Sequence, residues 1–156
     1  MITGTCRSCR KMSHPFQRMG VCFDSLSPAK TFLSLFYEHY RFHFVKDIAA
    51  SIVVQLERLQ FPSFQLITTI PYFFRNPQNQ IAQELSKMLQ IPFKSILKRN
   101  FTPYPSFTLK KKCNIINQVV LLLDLAMENQ EAFRASAWAL NRGMAENIYG
   151  MRFCNF

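Results

Sequence analysis

Residues 45–153 switch repeatedly between a helical and a strand period, and few folds are open to a chain that does so. Ile48, Ile52, Leu56 and Leu59 recur three to four apart, with Lys46, Asp47, Glu57 and Arg58 elsewhere on the wheel. That spacing predicts an amphipathic helix, which Pro62 ends. Gln65–Ile70 is rich in β-branched residues and closes at Pro71, as a buried strand does. Ile81, Leu85, Met88 and Leu89 then mark another helix, and Phe93–Leu97 a short strand after Pro92. Lys98–Lys112 carries two prolines and many charges, so a loop is expected there. Gln118–Leu123 is nearly all apolar, as suits a central parallel strand buried on both faces. Phe133, Ala137 and Leu140 predict a helix ending near Gly143, and Ile148–Phe153 a last strand. The expected class is therefore α/β, a mostly parallel sheet with helices on both faces. Ligands in such sheets sit at the carboxyl ends of strands, which points to Ile70–Gln80 and Asp124–Glu131.

Residues 1–27 show neither period and read as an irregular, Cys-containing head before a domain over residues 28–156. Ser27-Pro28 has the form of a helix start, with Leu33, Phe36 and Tyr37 on one face. The head is polar and basic, without the apolar core of a secretory signal. The longest apolar run, Val119–Leu123, stops at Asp124, well short of a membrane span. Five cysteines are an odd number for a disulfide framework. A cytoplasmic protein without a membrane span is the default expectation.

The formal net charge of +10 favours polyanions, whether nucleic acid, phosphorylated ligands or an acidic membrane surface. The same balance suits a merely solvated basic surface. In Lys98–Lys112, Lys98, Arg99, Lys110, Lys111 and Lys112 interleave with Phe101, Tyr104 and Phe107. Single-stranded nucleic acid is bound this way, cations tracking the backbone and rings stacking on bases. The competing expectation is a solvated loop whose aromatics are anchored in the core.

Cys6-x-x-Cys9 is half of a tetrahedral zinc site, and His14 and Cys22 could complete it. Their spacing is irregular and no second C-x-x-C follows, so free thiols in a degenerate head are expected. Cys113 and Cys154 read as ordinary semi-buried cysteines. His39 and His43 share a helical spacing without a Cys or Ser partner, and there is no Walker loop or Gly-rich dinucleotide turn.

Val120-Leu-Leu-Leu-Asp124-Leu-Ala-Met-Glu128-Asn129-Gln130-Glu131-Ala132-Phe133 reads as a strand, a terminal acid, a short loop and a helix. This resembles the phosphoribosyl-pyrophosphate motif of type I phosphoribosyltransferases. Residues 30–153 as a whole resemble the ComF/GntX family of competence-associated phosphoribosyltransferase-like proteins. Ile70-Pro71 resembles the end of that family's first sheet strand. Arg75 with Asn79 and Gln80 resembles its Arg-rich Asn-Gln segment, and Lys112 with Asn114 its Arg…Asn pair. The Cys6–Cys9 head is similar to its zinc-binding segment, and Lys98–Lys112 corresponds to its mobile loop over the active site.

The resemblance implies a type I phosphoribosyltransferase-like fold and a ligand loop at Asp124, Glu128, Asn129 and Gln130, with magnesium if sugar phosphate still binds. In the family two adjacent acids hold the ribose hydroxyls and a Thr-Thr-Gly-x-Thr loop cradles the 5-phosphate at a helix N-terminus. Here Asp124 matches the first acid and Leu125 replaces the second. Glu128, Asn129 and Gln130 stand for Thr, Thr and Gly, and Ala132 for the last Thr. A carboxylate about 4 Å from a phosphate costs several kcal/mol at a modest effective dielectric. Helix-dipole attraction at an exposed end returns only about 0.3–1 kcal/mol. Acids in a first helical turn also arise simply by favouring its positive end. The expectation is a catalytically impaired ComF-like protein that serves DNA uptake or DNA handling as a binding or scaffold component, with single-stranded DNA or competence-machinery proteins as partners. The alternative is an active phosphoribosyltransferase in which Asn129, Gln130 and nearby amides replace the lost Thr and Gly and bind phosphoribosyl pyrophosphate.

Overall fold

A computed structural model describes residues 14–23, 31, 44–71, 78–125 and 130–154. Its elements are β1 (Arg18–Phe23), α1 (Val45–Arg58), β2 (Leu66–Thr69), α2 (Gln78–Leu89), β3 (Leu97–Arg99), β4 (Phe107–Leu109), β5 (Val119–Asp124), α3 (Gln130–Arg142) and β6 (Asn147–Cys154). Four strands form one sheet in the order β1-β6-β5-β2, and every neighbouring pair is parallel. Phe93 extends it beyond β2 through an isolated parallel bridge to Ile67.

Alternation along the central strands builds a core on each face. Leu121 and Leu123 of β5 join Ile67, Met151 and Phe153 under α1 and α2, whose Ile48, Ile52, Ile81 and Leu85 are buried against them. Val120 and Leu122 join Leu66, Ile70 and Ile148 under α3, which contributes Phe133, Ala137 and Leu140. The α/β class with a mostly parallel sheet and helices on both faces is thus what the chain adopts. Gly150 of β6 lies directly against the Phe133 ring of α3 and the Phe16 ring. A Cβ there would stand 2.7 Å from the Phe133 ring and 2.8 Å from that of Phe16.

Helices α1, α2 and α3 close alike. Gln60, Gln90 and Met144 take positive φ (51°, 56° and 63°). The amides of Phe61, Ile91 and Ala145 then donate back to the carbonyls of Leu56, Ser86 and Leu140. This is a Schellman closure made without glycine. Gly143 lies one residue before the left-handed position of α3, and the first predicted helix ends at its own closure before Pro62 is reached.

Three expectations are corrected. Residues 1–27 are not irregular throughout: Arg18–Phe23 is an edge strand on β6, in register from Arg18↔Tyr149 to Phe23↔Cys154. The sheet therefore draws on the head as well as on residues 28–156. Lys98–Lys112 is not a plain loop. Leu97–Arg99 and Phe107–Leu109 pair antiparallel as a hairpin, with both prolines confined to its tip, where no ladder donor is needed. In the expected strand Phe93–Leu97, Phe93 makes only its bridge and the strand proper starts at Leu97. The helix expected from Ser27-Pro28, including Leu33, Phe36 and Tyr37, lies outside the described residues, as do His39 and His43.

Candidate functional site

Buried polar side chains concentrate at the carboxyl end of the sheet. Thr68 and Thr69 close β2, Gln78 opens α2, Asp124 ends β5, and Arg152 lies near the end of β6; Ser136 of α3 is the further one among the described residues. Asp124 and Arg152 are register partners on adjacent strands. Arg152 Nε donates to Asp124 Oδ2 at 2.9 Å, and the Asp124 side chain is 0% exposed. The guanidinium also lies over the Phe133 ring, 5.7 Å from its centroid. Taking two charges out of water is costly, and such a pair persists because each ion answers the other. The acid that the family resemblance assigns to ribose hydroxyls is therefore engaged inside the protein.

The neighbouring positions are similarly committed. Leu125, in place of the family's second acid, is buried in the α1–α2 core, and its amide donates to Gln78 Oε1 at 3.1 Å. Asn79 turns toward the sheet and accepts from Thr69 Oγ1 at 2.9 Å, while Gln80 is exposed on α2. Gln130 and Glu131 open α3 on its exposed side. Arg75, Glu128 and Asn129 lie outside the described residues. Arg152, Gln78 and Thr69 were missed in the sequence. The lone charge inside the apolar run Met151-Arg152-Phe153 was the available signal, since a buried charge needs a partner.

The hairpin presents the opposite arrangement. Its inner face carries Leu97 and Phe107, buried against the α3 side of the core with Leu109 packed beside them, and Arg142 Nη2 of α3 donates to the Phe107 carbonyl at 3.1 Å. Its outer positions carry Lys98 and Thr108, directly paired, and Lys110, Lys111 and Lys112 follow β4, all exposed. Lys110 Nζ reaches only as far as Ser95 Oγ, at 3.1 Å. Arg99 lies over the Phe107 ring at 5.7 Å, half-buried. Between Glu84 and Asp124 the chain contains Lys87, Lys94, Lys98, Arg99, Lys110, Lys111 and Lys112 and no acidic residue. Lys112 turns the chain away with φ 73°.

The aromatics divide between the two expectations raised for this segment. Phe107 is 1% exposed and anchors the hairpin, whereas Phe101 is 90% and Tyr104 79% exposed at its tip. The tip is braced from within. Asn100 donates through its amide to the Ser106 carbonyl at 2.9 Å and through Nδ2 to Ser106 Oγ at 3.0 Å. Thr102 Oγ1 donates to the Tyr104 carbonyl at 2.6 Å, and Thr108 Oγ1 to Asn100 Oδ1 at 3.2 Å.

Of the zinc-segment residues, Cys6 and Cys9 lie outside the described residues. His14 precedes β1 and packs its ring 5.6 Å from that of Phe16, while Cys22 lies near the far end of β1. Arg18 to Cys22 alone spans about 13 Å at strand rise, so β1 holds the two apart rather than bringing them together at one ion. Burial, with the nearby Arg134 guanidinium, holds the His14 imidazole below its usual range, against a backbone hydrogen bond with Phe16 that acts the other way. Burial, with Cys154 adding, pushes the Cys22 thiol up to about 12. No cluster of three or more His, Cys, Asp or Glu with metal-ligand geometry occurs among the described residues.

A cavity of about 140 Å³ opens at the amino end of β6, lined among others by His14, Gln17, Asn141 and Glu146. Small-molecule sites run to roughly 300–1,000 Å³, and this cavity is smaller than that. Among the described residues no helix is long and apolar enough to cross a membrane. Neither a protein-family model nor a curated protein matches the chain.

Proposed function

We propose that this protein is a non-catalytic, nucleic-acid-binding α/β domain that engages phosphate backbones through the β3–β4 hairpin. The observation that carries this reading is the segment between Glu84 and Asp124. It is free of acidic residues, and its exposed cations are Lys98 on the hairpin and Lys110, Lys111 and Lys112 in the stretch that directly follows β4. Like charges gathered without compensation repel one another, and a polyanion relieves that repulsion while releasing its own counterions. The resemblance to ComF/GntX proteins supports a role in DNA uptake or DNA handling, as a binding or scaffold component of the competence machinery. Loss of catalysis is supported by the Asp124–Arg152 pair and by buried Leu125, which leave neither position of the acid pair to a ribose.

Calorimetric titration tests both halves. A short oligonucleotide is expected to bind with an affinity that falls steeply with salt, the logarithmic slope being about 0.7 per phosphate engaged on a single strand. Replacing Lys110, Lys111 and Lys112 together with Ala should flatten that slope by about 2. Phosphoribosyl pyrophosphate with magnesium should give no heat. Micromolar binding of that sugar phosphate, abolished by Asp124→Asn, would overturn the reading in favour of a working transferase.

A further inference from the structure

We infer that Phe101 and Tyr104 form a base-stacking platform that makes the hairpin selective for unpaired nucleic acid over duplex. This rests on the nucleic-acid reading and sharpens it, because lysines alone attract any polyanion. The rings stand at the far end of the projection, 90% and 79% exposed, while the third aromatic of the segment, Phe107, is consumed as its anchor. Two large apolar groups so exposed are ordinarily a cost in water, and at the tip of a cationic hairpin they are placed where a bound strand's bases would lie. Lys98 lies on β3 three residues before Phe101 and Lys110 directly follows β4 at the hairpin's base, so a strand whose phosphates run along the hairpin from its base would carry its bases toward the rings at the tip.

The tip is also ready before binding. Pro103 and Pro105 fix backbone torsions on either side of Tyr104, and the Asn100–Ser106 and Thr102–Tyr104 hydrogen bonds hold the turn. A platform already in place loses little entropy when it captures a ligand. Every base has a π-face, so stacking tolerates sequence, but in a duplex those faces are already covered by neighbouring base pairs. The chemistry therefore recognises single-stranded DNA or RNA segments, loops and frayed ends.

The test uses the full chain with three fluorescent probes: a single-stranded 12-mer, a hairpin duplex of the same sequence, and anionic phosphatidylserine vesicles. The intact protein should prefer the single strand to the duplex by at least ten-fold. Phe101→Ala with Tyr104→Ala should erase that preference while keeping the salt slope, at roughly ten-fold lost per ring. In parallel, Tyr104→Trp should be quenched by the single strand and not by heparin. Both rings lie outside the core, and an unchanged circular dichroism spectrum would certify the fold. Equal binding of strand and duplex by the intact protein, or a preference that survives the double substitution, overturns the inference and leaves the backbone reading standing. Vesicle binding that depends on the two rings, with both oligonucleotides ignored, overturns inference and reading together.

Discussion

The carboxyl end of the sheet and the β3–β4 hairpin both gather polar groups, and they treat them in opposite ways. At the sheet end Asp124 meets Arg152, Thr69 meets Asn79, and Gln78 receives the Leu125 amide. In the hairpin and the stretch after it, Lys98, Lys110, Lys111 and Lys112 face water, as do the Phe101 and Tyr104 rings at the tip. A buried polar group must be answered within the protein, because water cannot answer it. An exposed one keeps its hydration and remains available to a partner. Among the described residues, the sheet end where an α/β fold usually binds its ligand thus turns Asp124, Thr69 and Gln78 to internal contacts, while the cations and rings of the hairpin segment are left facing water.

The largest expected effect would come from breaking the closed region. Arg152→Met leaves the Asp124 carboxylate buried without its guanidinium, and denaturant unfolding should record a loss of about 3–5 kcal/mol. Adding Asp124→Leu should restore most of it, since a well-packed apolar pair often equals or exceeds a buried ion pair. If Arg152→Met is tolerated within about 0.5 kcal/mol, the two regions are not as different as their burial implies. The contrast can next be drawn within the hairpin itself. Phe107→Ala should cost about 3–5 kcal/mol by opening a cavity under α3, while Phe101→Ala should stay within about 0.5 kcal/mol.

The smallest effect concerns His14, at the amino end of the sheet and away from both regions. Its folded-state pKa is lowered, so the unfolded chain binds the proton more readily. The stability gained from keeping the imidazole neutral is present above the ordinary histidine range and declines as pH falls through it. Thermal midpoints should therefore drop modestly between pH 7 and pH 5.5, and His14→Gln should remove part of that slope.

The helices and the central strand were legible because their signals are local. The three-to-four spacing of Ile48, Ile52 and Leu56, or the run Val119–Leu123, needs no knowledge of what lies opposite. The hairpin was hidden because each of its strands is three residues long, too short for alternation to register, and because its prolines read as loop. β1 was hidden for a different reason. Its burial follows no clean alternation, and it is a strand only because β6 lies beside it. In the candidate site, Asp124 was legible as an acid at the end of a strand. Its answer by Arg152 was not, since that depends on the register of β5 against β6. Exposure divides the hairpin's aromatics, and composition carries no exposure: Phe101 and Phe107 are the same residue type six positions apart, one in water and one in the core.

The position of β1 has a bearing on how the protein is made. It is synthesised before every other described strand, yet its only strand neighbour in the sheet, β6, is the last of them to be made. A growing chain therefore carries Arg18–Phe23 without its sheet partner until β6 has been made, while β2, β5, α1 and α2 can already assemble. The exposed Arg18 at its start helps keep that waiting segment soluble, as charge does on any unpaired edge. Final closure of the sheet is a late, long-range event that joins the two ends of the described chain.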